Sequence, residues 1–118
     1  MPTIFVFGSN TEGRHGKGAA ATARTQYGAI YGQARGRQGD AYAIVTKDLA
    51  LGKRSIPLAF IQLEVNTFLK YAADHPCDQF QVTAIGCGLA GYHDSEIAPM
   101  FKSSPANVTL PPQWQPYL

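Results

Sequence analysis

Two glycine-rich segments carry the residue types best suited to binding an anion. Residues 8–18 (GSNTEGRHGKG) follow an apolar run at 4–7, and residues 86–92 (GCGLAGY) follow a second apolar run at 82–85. Glycine loses more backbone entropy on folding than any other residue, so seven glycines in two short segments indicate a specific role. A loop between a strand end and a helix N-terminus points free N–H groups at an anion. The two glycine-rich segments together therefore predict a site for the two phosphates of a nucleotide diphosphate.

Three side chains within these segments could also do chemistry. His15 could act as a general base or donate a hydrogen bond to phosphate, and the alternative is an ordinary surface histidine. Asn10 could orient a ribose hydroxyl or a water, or it could simply cap a turn. Cys87 could be a nucleophile activated by a helix N-terminus, although a small residue filling a tight loop is the favoured interpretation.

Several standard sites are excluded by spacing. A P-loop ends in Gly-Lys-Ser or Gly-Lys-Thr, whereas Gly16-Lys17-Gly18 is followed by Ala19. The two cysteines and three histidines lack the spacing of metal ligands, so we predict no metal site and no cofactor.

The elements that position these loops alternate between strand and helix. The order predicts a three-layer α/β/α sandwich with a mostly parallel sheet and both glycine loops at the carboxyl edge of its strands. Ser55 is the predicted N-cap of the long helix. The predicted strands are residues 4–7, 41–46, 79–85 and 107–110; the predicted helices are 19–27, 55–73 and 94–101; residues 30–40 are predicted to be a loop and 111–118 an irregular tail.

The combined pattern resembles the macrodomain, the ADP-ribose-binding module. The resemblance lies in an asparagine-containing strand end (Asn10), the glycines after it, and the GCGLAGY segment at 86–92. The resemblance covers roughly residues 3–101. More specifically, the FGSN segment at 7–10 and the GCGLAGY segment look like those of a small macrodomain-like group in bacteria and their phages. The resemblance implies that the first loop holds the distal ribose, that the second wraps the diphosphate, and that Tyr92 packs near the distal ribose. The implied ligand-binding residues are Gly8, Ser9, Gly16, Gly18, Gly86, Cys87, Gly88, Leu89, Ala90 and Gly91, and the candidates for catalysis are Asn10, His15 and Tyr92.

The chain departs from the family pattern in two places. It lacks the Gly-Asp-Ile segment whose aspartate binds adenine, and the usual run of three adjacent glycines is replaced by Gly16-Lys17-Gly18. The sequence therefore does not identify the residue that would recognise the base. Tyr92 and Phe101 are the predicted stacking residues.

The resemblance implies two possible functions, and the distribution of charge suggests a third. The first two are hydrolysis of an ADP-ribosyl linkage, with the substrate diphosphate positioning a water, and binding of ADP-ribose without turnover. The third is nucleic-acid binding, because eight of the ten Lys and Arg residues lie in the first half of the chain. The basic residues proposed for that role are Arg14, Lys17, Arg35, Arg37, Lys53 and Arg54.

Length and composition limit the broader class. The 118 residues suit one domain, and a 45% apolar, 15% charged composition is typical of a globular protein and not of a disordered one. No apolar run approaches a membrane span, and no signal-like segment opens the sequence, so we expect a cytoplasmic location without membrane partners.

Overall fold

The computed structural model describes residues 3–118. Its strands are β1 (Thr3–Asn10), β2 (Gly36–Gln38), β3 (Ala41–Lys47), β4 (Gln79–Val82) and β5 (Val108–Thr109). Its α-helices are α1 (Gly18–Gln26), α2 (Leu58–Asp74) and α3 (Asp94–Ile97), and 3₁₀ helices cover Ala98–Phe101 and Pro112–Tyr117. The five strands form one sheet in the order β2-β3-β1-β4-β5. β1 runs parallel to both β3 and β4, β4 runs parallel to β5, and β2 is antiparallel to β3.

Helices cover both faces of the sheet because the side chains on both faces of its central strands are apolar. In β1, Ile4 and Val6 join the larger core cluster, whereas Phe7 belongs to the smaller one. The larger cluster contains the buried stripe of α2, and the smaller one contains the alanines of α1. Near-continuous apolar strands are what a two-sided parallel sheet requires. The predicted three-layer α/β architecture with a mostly parallel sheet is confirmed.

The helices follow the sequence pattern closely in their buried positions. Four residues of α2 at helical spacing are fully buried: Ile61, Val65, Phe68 and Ala72. Burying one such large side chain contributes about 1.5–3 kcal/mol of transfer free energy, so this stripe fixes α2 on the sheet. In the part of the chain that the structure describes, no helix is both long enough and apolar enough to cross a membrane.

Several local predictions differ from the structure. The predicted loop at 30–40 contains β2, which pairs with β3 while the buried Gln38 side chain bonds to neighbouring backbone groups. Ser55 is not the N-cap of α2, which begins at Leu58 after Pro57; its hydroxyl instead accepts a hydrogen bond from the Asp48 N–H at 2.7 Å. Two strand ends also differ: β1 continues to Asn10, three residues beyond its predicted end, and β4 ends at Val82, three residues before its predicted end.

A further difference is the tail, which is ordered as the 3₁₀ helix Pro112–Tyr117. Trp114 is fully buried against Phe101 with ring centroids 5.2 Å apart, and its indole N–H donates to Asp94 at 2.7 Å. Proline-rich composition suggested irregular chain, but one tryptophan anchors the segment to the larger core cluster.

Candidate functional site

A cleft of about 540 Å³ opens where the two glycine loops meet. The end of β1 lies against the second loop: a Cβ on Gly8 would come within 3.5 Å of the Gly86 backbone nitrogen and 3.1 Å of the Thr46 hydroxyl. The loops are therefore side by side at one edge of the sheet. The predicted site residues that line the cleft are Gly8, Ser9, Asn10, Gly16, Gly18, Gly86, Gly88, Leu89 and Ala90.

Apart from Gly8, which is packed against Thr46 and Gly86, the glycines of the cleft fall into two classes. Gly18 and Gly86 have φ of +59° and +73°, a backbone conformation that other residues rarely adopt. Gly16 and Gly88 do not have positive φ, and a Cβ added to either would meet no atom within 4 Å. Neither the backbone nor the packing of the protein requires glycine at these two positions. The open space at both positions leaves room for a ligand to approach the backbone closely.

Asn10 organises the first loop through its side chain. Its Oδ1 accepts hydrogen bonds from the backbone N–H groups of Glu12 and Arg14 at 3.2 and 2.9 Å, and its Nδ2 donates to the Arg14 carbonyl at 2.9 Å. This is the turn-capping role that the sequence left open as an alternative. Asn10 lines the cleft, but both its acceptor sites serve the loop.

His15 lies behind the cleft wall and not in it. It is fully buried, its ring packs at right angles to Phe7, and its Nε2 lies 3.3 Å from the Ser9 hydroxyl. Burial lowers the pKa of His15, so the imidazole is neutral at pH 7. Ser9 itself lines the cleft and is 4% exposed. The Ser9 hydroxyl therefore contacts a buried, neutral imidazole, while the residue contributes only a little exposed surface to the cleft wall.

Three residues of the second segment point away from the cleft. Tyr92 is buried in the larger core cluster, where its hydroxyl donates to the Ile56 carbonyl. Gly91 has φ of +86° and packs against the Lys53 stem. The Cys87 thiol bonds to the Ile85 carbonyl at 3.3 Å, and burial, with hydrogen bonding to Asp94, raises its pKa to about 12. This placement gives Cys87 the properties of a packing residue and not of a thiolate nucleophile.

An arginine holds the second loop in place. The Arg54 N–H donates to the Ala90 carbonyl at 2.7 Å, and its guanidinium lies 4.5 Å from the centroid of the Tyr92 ring. The same guanidinium forms a two-point ion pair with Glu96, at 2.9 and 2.8 Å. This hydrogen-bonded pairing lowers the pKa of Glu96 to about 2. Arg54 has φ of +52°, so its contacts with the loop outweigh an unfavourable backbone conformation.

The wall of the cleft is positively charged. Arg14, Lys17 and Lys47 line it, and among residues 3–118 no Asp or Glu does. Sequence reasoning did not assign Lys47, Thr46 or Tyr31 to the site. Lys47 could have been found, because it ends a strand next to β1 and the carboxyl ends of parallel strands share one edge. Tyr31 could not, since it reaches the cleft from a segment beyond α1.

The other basic residues proposed for nucleic-acid contact are mostly engaged elsewhere. Arg35 pairs with Glu64 at 2.9 Å, and Arg37 pairs with Asp78 at 3.4 Å. Arg54 is held by Glu96. These pairs partly neutralise the charge that a nucleic-acid surface would need, whereas the Lys17 and Lys47 side chains face the cleft.

Comparison with known proteins gives one structural match. No protein family matches the chain, and no curated protein matches it. Among solved structures, it is similar to Thermosipho africanus DarTG in complex with ADP-ribose, with a TM-score of 0.66 and 19% identity. The match covers 96% of this chain and 39% of that chain, so this chain spans about two fifths of its length. The likeness shows the fold.

Proposed function

We propose that the cleft binds ADP-ribose or a related nucleotide diphosphate sugar. The observation that carries this proposal is the pair Gly16 and Gly88, which line the cleft without any internal need for glycine. Lys17, Lys47 and Arg14, of which Arg14 pairs with Glu12 at 3.4 Å, favour an anion, since no carboxylate lines the described part of the wall. The cleft volume of about 540 Å³ falls within the usual size of small-molecule sites. A solved structure of similar fold was determined with ADP-ribose bound, which supports the same ligand class.

Calorimetric titration with ADP-ribose, ADP, AMP and NAD tests the proposal. A ligand at ten times its dissociation constant stabilises the fold by about 1.4 kcal/mol, so thermal shifts need concentrations well above that constant. ADP-ribose is expected to bind, and binding heat or thermal stabilisation should be lost in Gly88→Glu. The Cβ of that variant enters open space, so the fold tolerates it while the carboxylate repels the diphosphate.

The matched control is Ala59→Glu, which adds the same charge at an exposed position of α2 outside the cleft. It should bind ADP-ribose like the wild type. Absence of both heat and thermal shift with millimolar ADP-ribose contradicts the proposal.

Hydrolysis of an ADP-ribosyl linkage is the second candidate, and the Ser9–His15 pair favours it. Neither a carboxylate nor a histidine is in the described part of the cleft wall, so positioning of the substrate and water must supply most of the rate. The substrate diphosphate would position the water at the anomeric carbon of the distal ribose, and Ser9, whose hydroxyl lies 3.3 Å from His15 Nε2, would support that arrangement from the cleft wall.

Single-turnover release of ADP-ribose from a modified protein or nucleic acid separates a hydrolase from a binding module. Asn10→Ala is a poor probe because the side chain holds the first loop together. Ser9→Ala is sharper: it should reduce turnover with little change in affinity if the protein is a hydrolase. Tight binding by the wild type without release from any linkage identifies a binding module instead.

Nucleic-acid binding remains the alternative from another class of function. It predicts a gel shift at low salt that disappears at moderate salt, because phosphate contacts release counterions. The Arg35 and Arg37 ion pairs make this outcome unfavourable, since both would have to be broken or shared.

A further inference from the structure

The aromatic residues expected to stack on a ligand are not in the cleft. Tyr92 is 5% exposed and Phe101 is fully buried, both within the larger core cluster. Among residues 3–118, Tyr31 is the one aromatic side chain in the cleft wall, and it is 55% exposed. An exposed ring beside an anion-binding loop is suited to stack on a planar group of the ligand.

The segment carrying Tyr31 is fixed to the first glycine loop. The Gly32 N–H donates to the Gly13 carbonyl at 2.8 Å, and a Cβ on Gly13 would lie only 2.5 Å from the Gly32 carbonyl carbon. These two backbones are therefore in direct contact, and no side chain fits between them. A second bond, from the Ile30 N–H to the Gln38 side chain at 2.7 Å, holds the other end of the segment.

The Tyr31 ring also contacts two other side chains. The Arg24 guanidinium lies 5.5 Å from the ring centroid, and the buried His15 ring packs against it at 6.4 Å with an angle of 70°. Both contacts orient the ring while leaving more than half of the side chain exposed. A ring ordered before binding loses little entropy when a ligand stacks on it.

We propose that Tyr31 stacks on the base of a nucleoside diphosphate whose phosphates bind the glycine loops, and that the site accepts different bases. This inference rests on the proposed function. The described part of the cleft wall has no carboxylate to read the amino group of adenine. Stacking on an aromatic ring is tolerant of base identity because every base has a π face. The substrate class is therefore nucleoside diphosphates and their sugars, not adenine compounds alone.

The test compares ADP, GDP, UDP, ADP-ribose and inorganic pyrophosphate on the wild type, Tyr31→Ala and Tyr31→Phe. Tyr117→Ala is the matched control, because Tyr117 is 41% exposed and outside the cleft. Wild-type protein should bind ADP and GDP within about fivefold of each other. Tyr31→Ala should weaken nucleotide binding about 5- to 100-fold, the range typical of losing one base–aromatic stack. Pyrophosphate binding should not change, and Tyr31→Phe should restore nucleotide affinity.

A spectroscopic measurement separates stacking from a purely structural role. The H8 proton of bound ADP should shift upfield through the ring current of Tyr31 and lose that shift in Tyr31→Ala. Equal weakening of ADP and pyrophosphate in Tyr31→Ala, or no weakening of either, overturns the inference while leaving the proposed function intact. A preference above about 20-fold for ADP over GDP overturns base tolerance. Failure of every probe to bind the wild type overturns both the inference and the proposed function.

Discussion

Replacing the two unconstrained glycines with alanine should make the protein more stable and its ligand binding weaker. Gly16 and Gly88 do not have positive φ, and a Cβ on either would meet no atom within 4 Å. Alanine at such a position restricts the unfolded chain without straining the folded one, which stabilises by about 0.4–1 kcal/mol. For a domain of this size, that corresponds to a rise of about 2–4 °C in Tm.

The same substitutions should interfere with a bound diphosphate. A methyl group at either position occupies the surface where phosphate oxygens reach the backbone N–H groups. A hydrogen bond to a charged group contributes about 1.5–3 kcal/mol, so the loss of one corresponds to about tenfold weaker binding or more. We therefore expect stability and affinity to change in opposite directions in Gly16→Ala and in Gly88→Ala.

Two further variants calibrate the measurement. Gly86→Ala should destabilise by about 1–2 kcal/mol, because Gly86 has φ of +73° and its Cβ would press on Ile97 at 3.1 Å. Gly36→Ala is the control for backbone strain alone: Gly36 has φ of +87°, no atom within 4 Å of the added Cβ, and a place in β2 away from the cleft. It should lower stability without changing affinity.

Urea unfolding and ADP-ribose titration of the same four variants provide the two readouts. More stable Gly16→Ala and Gly88→Ala proteins with unchanged affinity would refute the inference that a ligand explains these glycines. A loss of stability in either would show that the space around the loop is not open as described.

Three other predictions concern the surroundings of the cleft. Burial lowers the pKa of His15 below its ordinary 6.5, so on acidification the imidazole is protonated in the unfolded chain at a higher pH than in the folded one. The free energy of unfolding should therefore fall as the pH drops below about 6.5. Urea unfolding at several pH values should show a smaller fall in His15→Gln. Burial and hydrogen bonding to Asp94 raise the pKa of the Cys87 thiol to about 12, so iodoacetamide near pH 8 should alkylate exposed Cys77 and spare Cys87, as read by peptide mass spectrometry. Trp114→Ala should lower the free energy of unfolding in urea by about 3–5 kcal/mol, and Trp114→Phe should lower it by clearly less. Equal stability of Trp114→Ala and the wild type would show that the tail is not anchored by this side chain.

The sequence alone was sufficient to predict the strands and helices whose apolar pattern lies within the element itself. The apolar residues 4–7 and 41–46 became β1 and β3, and the stripe at 61, 65, 68 and 72 became the buried face of α2. β2 was missed because the side chain of Gln38, which is 2% exposed, bonds to the Ile30 N–H and to carbonyls of Gln33 and Gly36. That network depends on residues meeting in three dimensions, and no periodicity in the sequence reports it.

The site was predictable in its backbone and less so in its side chains. Parallel-sheet geometry brings strand ends to one edge, so the meeting of the two glycine loops follows from the order of elements. The direction of Tyr92 does not follow, because the chain turns after Gly91, whose φ is +86°, and the ring then enters the core. The reverse holds for Tyr31, which reaches the cleft because two glycines, Gly13 and Gly32, let distant backbones touch.

The division between a rigid frame and an open surface explains how the cleft would hold the proposed anion. Asn10 holds the first loop with both ends of its side chain, and Arg54 holds the second through the Ala90 carbonyl. With both loops fixed by hydrogen bonds within the protein, Gly16 and Gly88 remain free to present bare backbone. Pre-ordered N–H groups need no reorganisation when an anion arrives, so binding retains more of their interaction energy. Lys17 and Lys47 then add charge at the wall, where the described residues include no carboxylate to compete with a diphosphate.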